Sequence, residues 1–145
     1  MSTYPPALAE LIEFFEPLSE PERRENLIDL AEAAHLHTPR EGAAYAISDV
    51  RQDEGCTDTV GIFIAKNAQG GIELATTLGP KVQTLTRAMA TLLCRGLKSC
   101  TPTEILALPE DFVVRVVGEE LVRLRSRTVY YLLSRIKEAV AKLPC

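Results

Sequence analysis

Four cysteines, Cys56, Cys94, Cys100 and Cys145, are the side chains of this 145-residue chain best suited to covalent chemistry. A thiolate serves both as nucleophile and as metal ligand, so spacing and setting decide between the two roles. No Cys-x-x-Cys occurs, and Cys94 and Cys100 fall on different sides of a stretch of helical periodicity. Gly55-Cys56 instead closes a polar stretch that runs from Arg51 to Thr59. That is the setting of an exposed loop tip, where a thiol can receive a group from another protein. Glycine before the cysteine lets the backbone turn sharply and gives a partner close access to the sulfur. On the residues alone, Cys56 reads equally well as an inert small residue at a turn. Asp53, Glu54 and Asp58 surround it with negative charge, which opposes thiolate formation and calls for a nearby cation. Cys94, beside Leu92 and Leu93, reads as a small core hydrophobe, and Cys100 and Cys145 as incidental.

His35-x-His37 offers two imidazoles, but a zinc site needs third and fourth ligands that the sequence does not place, so no metal is expected. Arg127 is less ordinary. It follows Ser126, the expected N-cap of the last helix, and a cation in a first helical turn faces the positive end of the helix dipole at a cost of about 0.3–1 kcal/mol. Such a position suggests a purpose beyond the helix; an arginine reaching into solvent or onto an acidic neighbour is the plain alternative. No Gly-rich phosphate loop, Ser-His-Asp order or paired-carboxylate arrangement stands out.

The elements that must position these residues are legible in outline. Leu8, Leu11, Ile12 and Phe15 recur at helical spacing between Pro5-Pro6 and Pro17, and Ser19 with Glu22 forms a capping box ahead of Leu27, Leu30, Ala31 and Ala34. From His35 to Gly55 the pattern is poor, with one short edge strand at Ala46 to Val50. Thr59 to Ala65 and Ile72 to Thr76, separated by the turn residues Asn67 to Gly71, predict an antiparallel hairpin. Val82, Leu85, Met89, Leu92, Leu93 and Leu97 predict the central helix, and Thr101-Pro102-Thr103-Glu104 opens another. Val113, Val114, Val116 and Val117 suit strand or helix equally. Val129, Leu132, Leu133, Ile136, Val140 and Leu143 predict a last amphipathic helix. The expectation is one α+β domain over residues 1–145, a small antiparallel sheet of about three strands against several helices.

The formal net charge is −4, with acids concentrated before Gly55 and bases after Glu120. Arg123, Arg125, Arg127, Arg135, Lys137 and Lys142 read as a solvated helix face, because a nucleic-acid footprint accompanies a basic domain and this one is acidic. No apolar run approaches the ~18 residues of a membrane span. The N-terminus carries Glu10, Glu13 and Glu16 where a secretory signal carries lysine or arginine, so a cytoplasmic location is expected.

Taken in order, Gly55-Cys56 followed by Val60, then Asn67-Ala68-Gln69-Gly70-Gly71-Ile72-Glu73-Leu74, the central helix, Thr101-Pro102-Thr103-Glu104-Ile105-Leu106 and Ser126-Arg127 resemble the SufE family. The resemblance runs from about Ala7 to Leu143. It implies a fold shared with iron–sulfur scaffold proteins of the NifU kind, and a sulfur acceptor and carrier of iron–sulfur cluster assembly. In that role Cys56 takes persulfide sulfur from a SufS-type cysteine desulfurase, stimulates that enzyme and passes the sulfur to a downstream scaffold, without turnover of its own. The resemblance makes Arg127 the supporting residue and Asp53, Glu54, Gly55, Thr57 and Asp58 the surface that meets the partner. It implies no cofactor on this chain, since pyridoxal phosphate belongs to the desulfurase; the charge balance and the lack of a long apolar run make neither nucleic acid nor membrane an expected partner. Thr57-Asp58, Gly61 and Tyr130 depart from the family's usual residues and mark a divergent member. The rival expectations are an iron–sulfur scaffold, which needs three or four converging ligands, and an adaptor that binds the desulfurase without passing sulfur.

Overall fold

The computed structural model describes residues 4–144, so Cys145 lies outside the described residues. The chain enters through two helices, α1 (Pro6–Phe15) and α2 (Glu20–Glu32). Pro6 occupies the first turn of α1, and α2 is capped reciprocally by Ser19 and Glu22 as their spacing predicts. A 3-10 turn over Ala33–His37 follows, then strand β1 (Ile47–Arg51). Strands β2 (Val60–Lys66) and β3 (Ile72–Leu78) form the expected hairpin, and the sheet is antiparallel in the order β1-β2-β3. Its inner face carries Val60, Ile62, Ile64 and Ile72, each at most 2% exposed.

Helix α3 (Thr84–Gly96) is central, and Ala88, Met89, Leu92 and Leu93 on it are fully buried between sheet and helices. Helix α4 (Pro102–Leu106) opens with the Thr101/Glu104 capping box. The ambiguous valine segment is helical, α5 (Phe112–Val117): Phe112, Val113, Val116 and Val117 are buried at helical spacing while Val114 and Arg115 are only partly covered. The buried apolar residues of helices and sheet make one continuous core.

The last helix differs from expectation at its start. Helix α6 runs Glu119–Ala141, beginning well before Ser126, with Glu119 and Glu120 in the first turn where the dipole favours carboxylates. Its first stretch is hard to read because Arg123, Leu124, Arg125, Ser126 and Arg127 are all exposed and leave no apolar stripe. A kink at Arg125 (φ −134°, ψ 36°) breaks the helix immediately before Ser126. The Ser126-Arg127 pair therefore does open a helical segment, although not the helix itself. The architecture of the described residues is α+β, a three-stranded antiparallel sheet with six helices.

Candidate functional site

The Cys56 loop is the connection between β1 and β2, closed at its base by the Arg51↔Val60 pair of the sheet. Within it the Cys56 amide donates to the Asp53 carbonyl at 3.0 Å and the Gln52 side-chain amide donates to the Cys56 carbonyl at 3.0 Å, which gives a tight turn at the tip. Gly55 in that turn has φ +86°, the left-handed region that side-chain-bearing residues avoid. Cys56 itself is partly exposed.

One flank of the loop is tied to α6. Tyr131 donates its hydroxyl to Asp53 Oδ2 at 2.6 Å, and Arg135 donates through Nη1 to the Tyr131 oxygen at 2.6 Å. Arg135 is only 2% exposed; its Nη2 donates to the carbonyls of Asp49 (2.8 Å) and Val60 (3.0 Å), which are the middle residue of β1 and the first residue of β2. Arg51 completes the cluster, donating to Asp53 Oδ1 and Asp49 Oδ2, both at 2.8 Å, and to Glu138 at 2.9 Å. The Tyr131 hydrogen bond, with Arg51 and Arg135 nearby, holds the Asp53 carboxyl below the usual carboxylate range. Burial, reinforced by the bond to Asp53, pushes the Tyr131 phenol up.

The other flank rests on the turn between β3 and α3. Asp58 accepts the amides of Thr59 (2.7 Å) and Lys81 (2.8 Å), and the Thr57 hydroxyl donates to the Lys81 carbonyl at 2.9 Å. Those backbone N–H groups, Lys81 first, hold the Asp58 carboxyl below its ordinary value. The turn can approach this closely because residue 79 is glycine: a Cβ there would lie 2.3 Å from Asp58 Cγ. Asp53, Thr57 and Asp58 thus spend their side chains holding the loop, and Glu54 and Gly55 stand exposed at its tip.

Between the flanks lies a cavity of about 110 Å³, lined by Cys56 together with Gly55, Val82, Thr86, Arg127 and Tyr131. Arg127 brings its guanidinium against the loop: a Cβ on Gly55 would sit 3.2 Å from Arg127 Nη2. Arg127 enters no hydrogen bond or ion pair among the described residues, so its charge is available to an anion at the cavity mouth. A thiol, an uncommitted guanidinium and a phenol share one recess, the arrangement that nucleophilic sulfur chemistry on a partner's group requires.

Cys94 lies elsewhere, 5% exposed in the core, where burial pushes its thiol up to about 12. Cys100 is not incidental as expected: it is 4% exposed, burial pushes its thiol up to about 11, and its carbonyl accepts the Ile72 amide at 2.8 Å. It sits just after a turn that docks on β3, and the preceding Ser99 takes a positive φ of 64°, which folds the chain back into the core. His35 Nδ1 lies 2.8 Å from the Glu32 carbonyl, and His37 Nε2 is 3.4 Å from Arg95 Nε. Among the described residues no three His, Cys, Asp or Glu side chains converge on a metal-sized site. The reading of the basic residues near the C-terminus as one solvated face fails at Arg135, which is buried. Tyr131 and Arg135 are the site residues that sequence reasoning missed. A polar residue placed one position before the apolar Leu132 and Ile136 is the only signal that they turn towards the interior.

A family model described as SufE, Fe-S metabolism associated domain, matches residues 9–140. The fold is also that of a solution structure, a hypothetical protein from Thermus thermophilus, with a TM-score of 0.69, 23% identity and 96% of each chain covered. No curated protein matches the chain. No helix among the described residues is long and apolar enough to cross a membrane. With the match spanning nearly the whole sequence, from α1 to the end of α6, the chain belongs to the SufE family and has a role in Fe-S metabolism.

Proposed function

We propose that this chain accepts sulfur on Cys56 from a SufS-type cysteine desulfurase and carries it towards an iron–sulfur scaffold. The observation that supports this most is the placing of Cys56: of the three described cysteines it alone is partly exposed, on a loop tip, facing a cavity that Arg127 and Tyr131 share. The Cys56 thiolate attacks the outer sulfur of a persulfide on the desulfurase. A bond forms between Cys56 Sγ and that sulfur, the bond between the outer and inner sulfurs of the donor breaks, and the inner sulfur leaves as a thiolate that takes up a proton. Sulfane sulfur passes from one cysteine to another, and no external oxidant or reductant is consumed. The chain is then a carrier and activator and not an enzyme with its own turnover.

Arg127 is the supporting cation of this reading, balancing negative sulfur at the loop. Glu54 and Gly55, exposed at the tip, form the first contact with the partner, and Asp53, Thr57 and Asp58 shape that surface from within. The pyridoxal phosphate that frees sulfur from cysteine belongs to the desulfurase. Carriage is favoured over scaffolding because, among the described residues, Cys56 has no neighbouring thiols or imidazoles with which to hold a cluster. Incubation with a SufS-type desulfurase and cysteine, followed by intact-mass measurement, tests the proposal: a sulfur adduct is expected on the wild type and not on Cys56→Ser.

A further inference from the structure

We infer that Arg135 and Tyr131 are positioning residues that latch the Cys56 loop, with Arg135 gripping both stems and Tyr131 extending that grip through Asp53 to the turn that carries Cys56; the transfer step of this inference rests on the function proposed above.

A fully desolvated guanidinium is costly, and a buried charge persists where its hydrogen bonds are well made. Arg135 is 2% exposed and its two terminal nitrogens are both engaged. The partners of Nη2 are carbonyls on opposite stems of one loop, Asp49 before it and Val60 after it. A single side chain from α6 therefore ties together the two stems that the β1–β2 pairing closes. Its carboxylate neighbours are Asp49 and Asp53, at 3.5 and 3.6 Å. Nε makes no hydrogen bond among the described residues, so everything Arg135 donates goes to the loop or to Tyr131.

Tyr131 lies one helical turn before Arg135 and carries the second half of the latch. Its single O–H is given to Asp53, the residue whose carbonyl in turn accepts the Cys56 amide at 3.0 Å. One lone pair of the phenol oxygen takes Nη1 of Arg135, and the ring lines the cavity beside Cys56. The result is a continuous path from a buried charge, through a phenol and Asp53, to the backbone amide of the cysteine. The loop's own carboxylates and Arg51 face this cluster from β1 and from the loop, and Arg127 meets the loop at Gly55. Removing the Tyr131 hydroxyl cuts the path while leaving the ring and the stems in place.

The test uses Tyr131→Phe in the full chain. Loss of a charge-assisted hydrogen bond is expected to speed amide hydrogen exchange over residues 53–57 by roughly tenfold, while exchange in β2, β3 and α3 stays as in the wild type. With a SufS-type desulfurase and cysteine, the maximal rate of sulfur loading on Cys56 is expected to fall by roughly tenfold. The concentration for half-maximal loading should stay unchanged, a split that a general loss of structure would not produce. Arg135→Gln should loosen both stems as well as the tip, and Arg135→Lys should recover part of the protection because an ammonium still reaches the carbonyls. Wild-type exchange at 53–57 in Tyr131→Phe would overturn the latch, and so would a loading rate equal to the wild type. If the wild type itself takes no sulfur, the proposed function fails, and the exchange measurement still decides the latch on its own.

Discussion

Changing Gly55 to alanine is the most local perturbation of the site. A φ of +86° costs a side-chain-bearing residue about 1–2 kcal/mol, and the new Cβ would press on Arg127 at 3.2 Å. Gly55→Ala is therefore expected to lose about that much stability in chemical denaturation and to slow sulfur loading as the tip shifts. Arg127→Ala should leave the melting temperature unchanged, since the side chain holds nothing together, and should lower stimulation of a desulfurase; unchanged stimulation would reduce Arg127 to surface. The buried cysteines respond through packing. Cys94→Ala should cost about 1–2 kcal/mol, and Cys100→Ser about 1–3 kcal/mol because a hydroxyl replaces a thiol at a 4% exposed position. Stability equal to wild type for Cys100→Ser would show that its side chain is not part of the core. Cys56 and Arg127 were legible from residue type and local setting. Tyr131 and Arg135 were not, because the partners that define them lie 78 and 86 residues away in the chain.

The elements that were legible are those that carry their own local signals: Ser19 with Glu22, Thr101 with Glu104, and the turn between Asn67 and Gly71 each fix a boundary within a few residues. The start of α6 was not, since its exposed first turns show no apolar period and its kink at Arg125 imitates a helix end. That kink lies two residues before Arg127, whose guanidinium reaches Gly55. The loop depends in turn on two depressed carboxyls, Asp53 on its α6 flank and Asp58 on its α3 flank. A carboxyl whose folded-state pKa is lowered binds fewer protons in the native state than in the unfolded chain. Its contribution is complete above its unfolded value of about 4 and is lost as pH falls through the lower folded value. Loop amide exchange, corrected for its intrinsic pH dependence, and Cys56 accessibility should therefore stay constant at neutral pH and rise below about pH 4. Asp58→Asn should already exchange faster at pH 7, near residues 57–59 more than near 53. A loop that loosens on raising the pH from 5 to 8 would contradict this arrangement.

At the scale of the whole molecule, part of the uneven charge of the sequence is internal complementarity, carried by Arg135. The basic C-terminal helix meets the acidic first third through Arg135 with Asp49 and Asp53, while Glu138 on the same helix receives Arg51. Arg115 joins Glu16 across α5 and α1 in the same manner. Exposed pairs of this kind contribute little each, but the Arg135 guanidinium is shielded from solvent and couples the far end of the chain to the Cys56 loop. The fold thereby ties the connection between β1 and β2 to its longest helix.

The most direct test of the central claim is the intact mass of the protein after incubation with a SufS-type desulfurase and cysteine, taken without reductant and followed by peptide mapping. The account predicts one added sulfur on the wild type, located on Cys56, removed by dithiothreitol, present in Cys94→Ala and Cys100→Ser, and missing in a folded Cys56→Ser. A sulfur adduct that persists in Cys56→Ser, or that maps to another cysteine in the wild type, would contradict it.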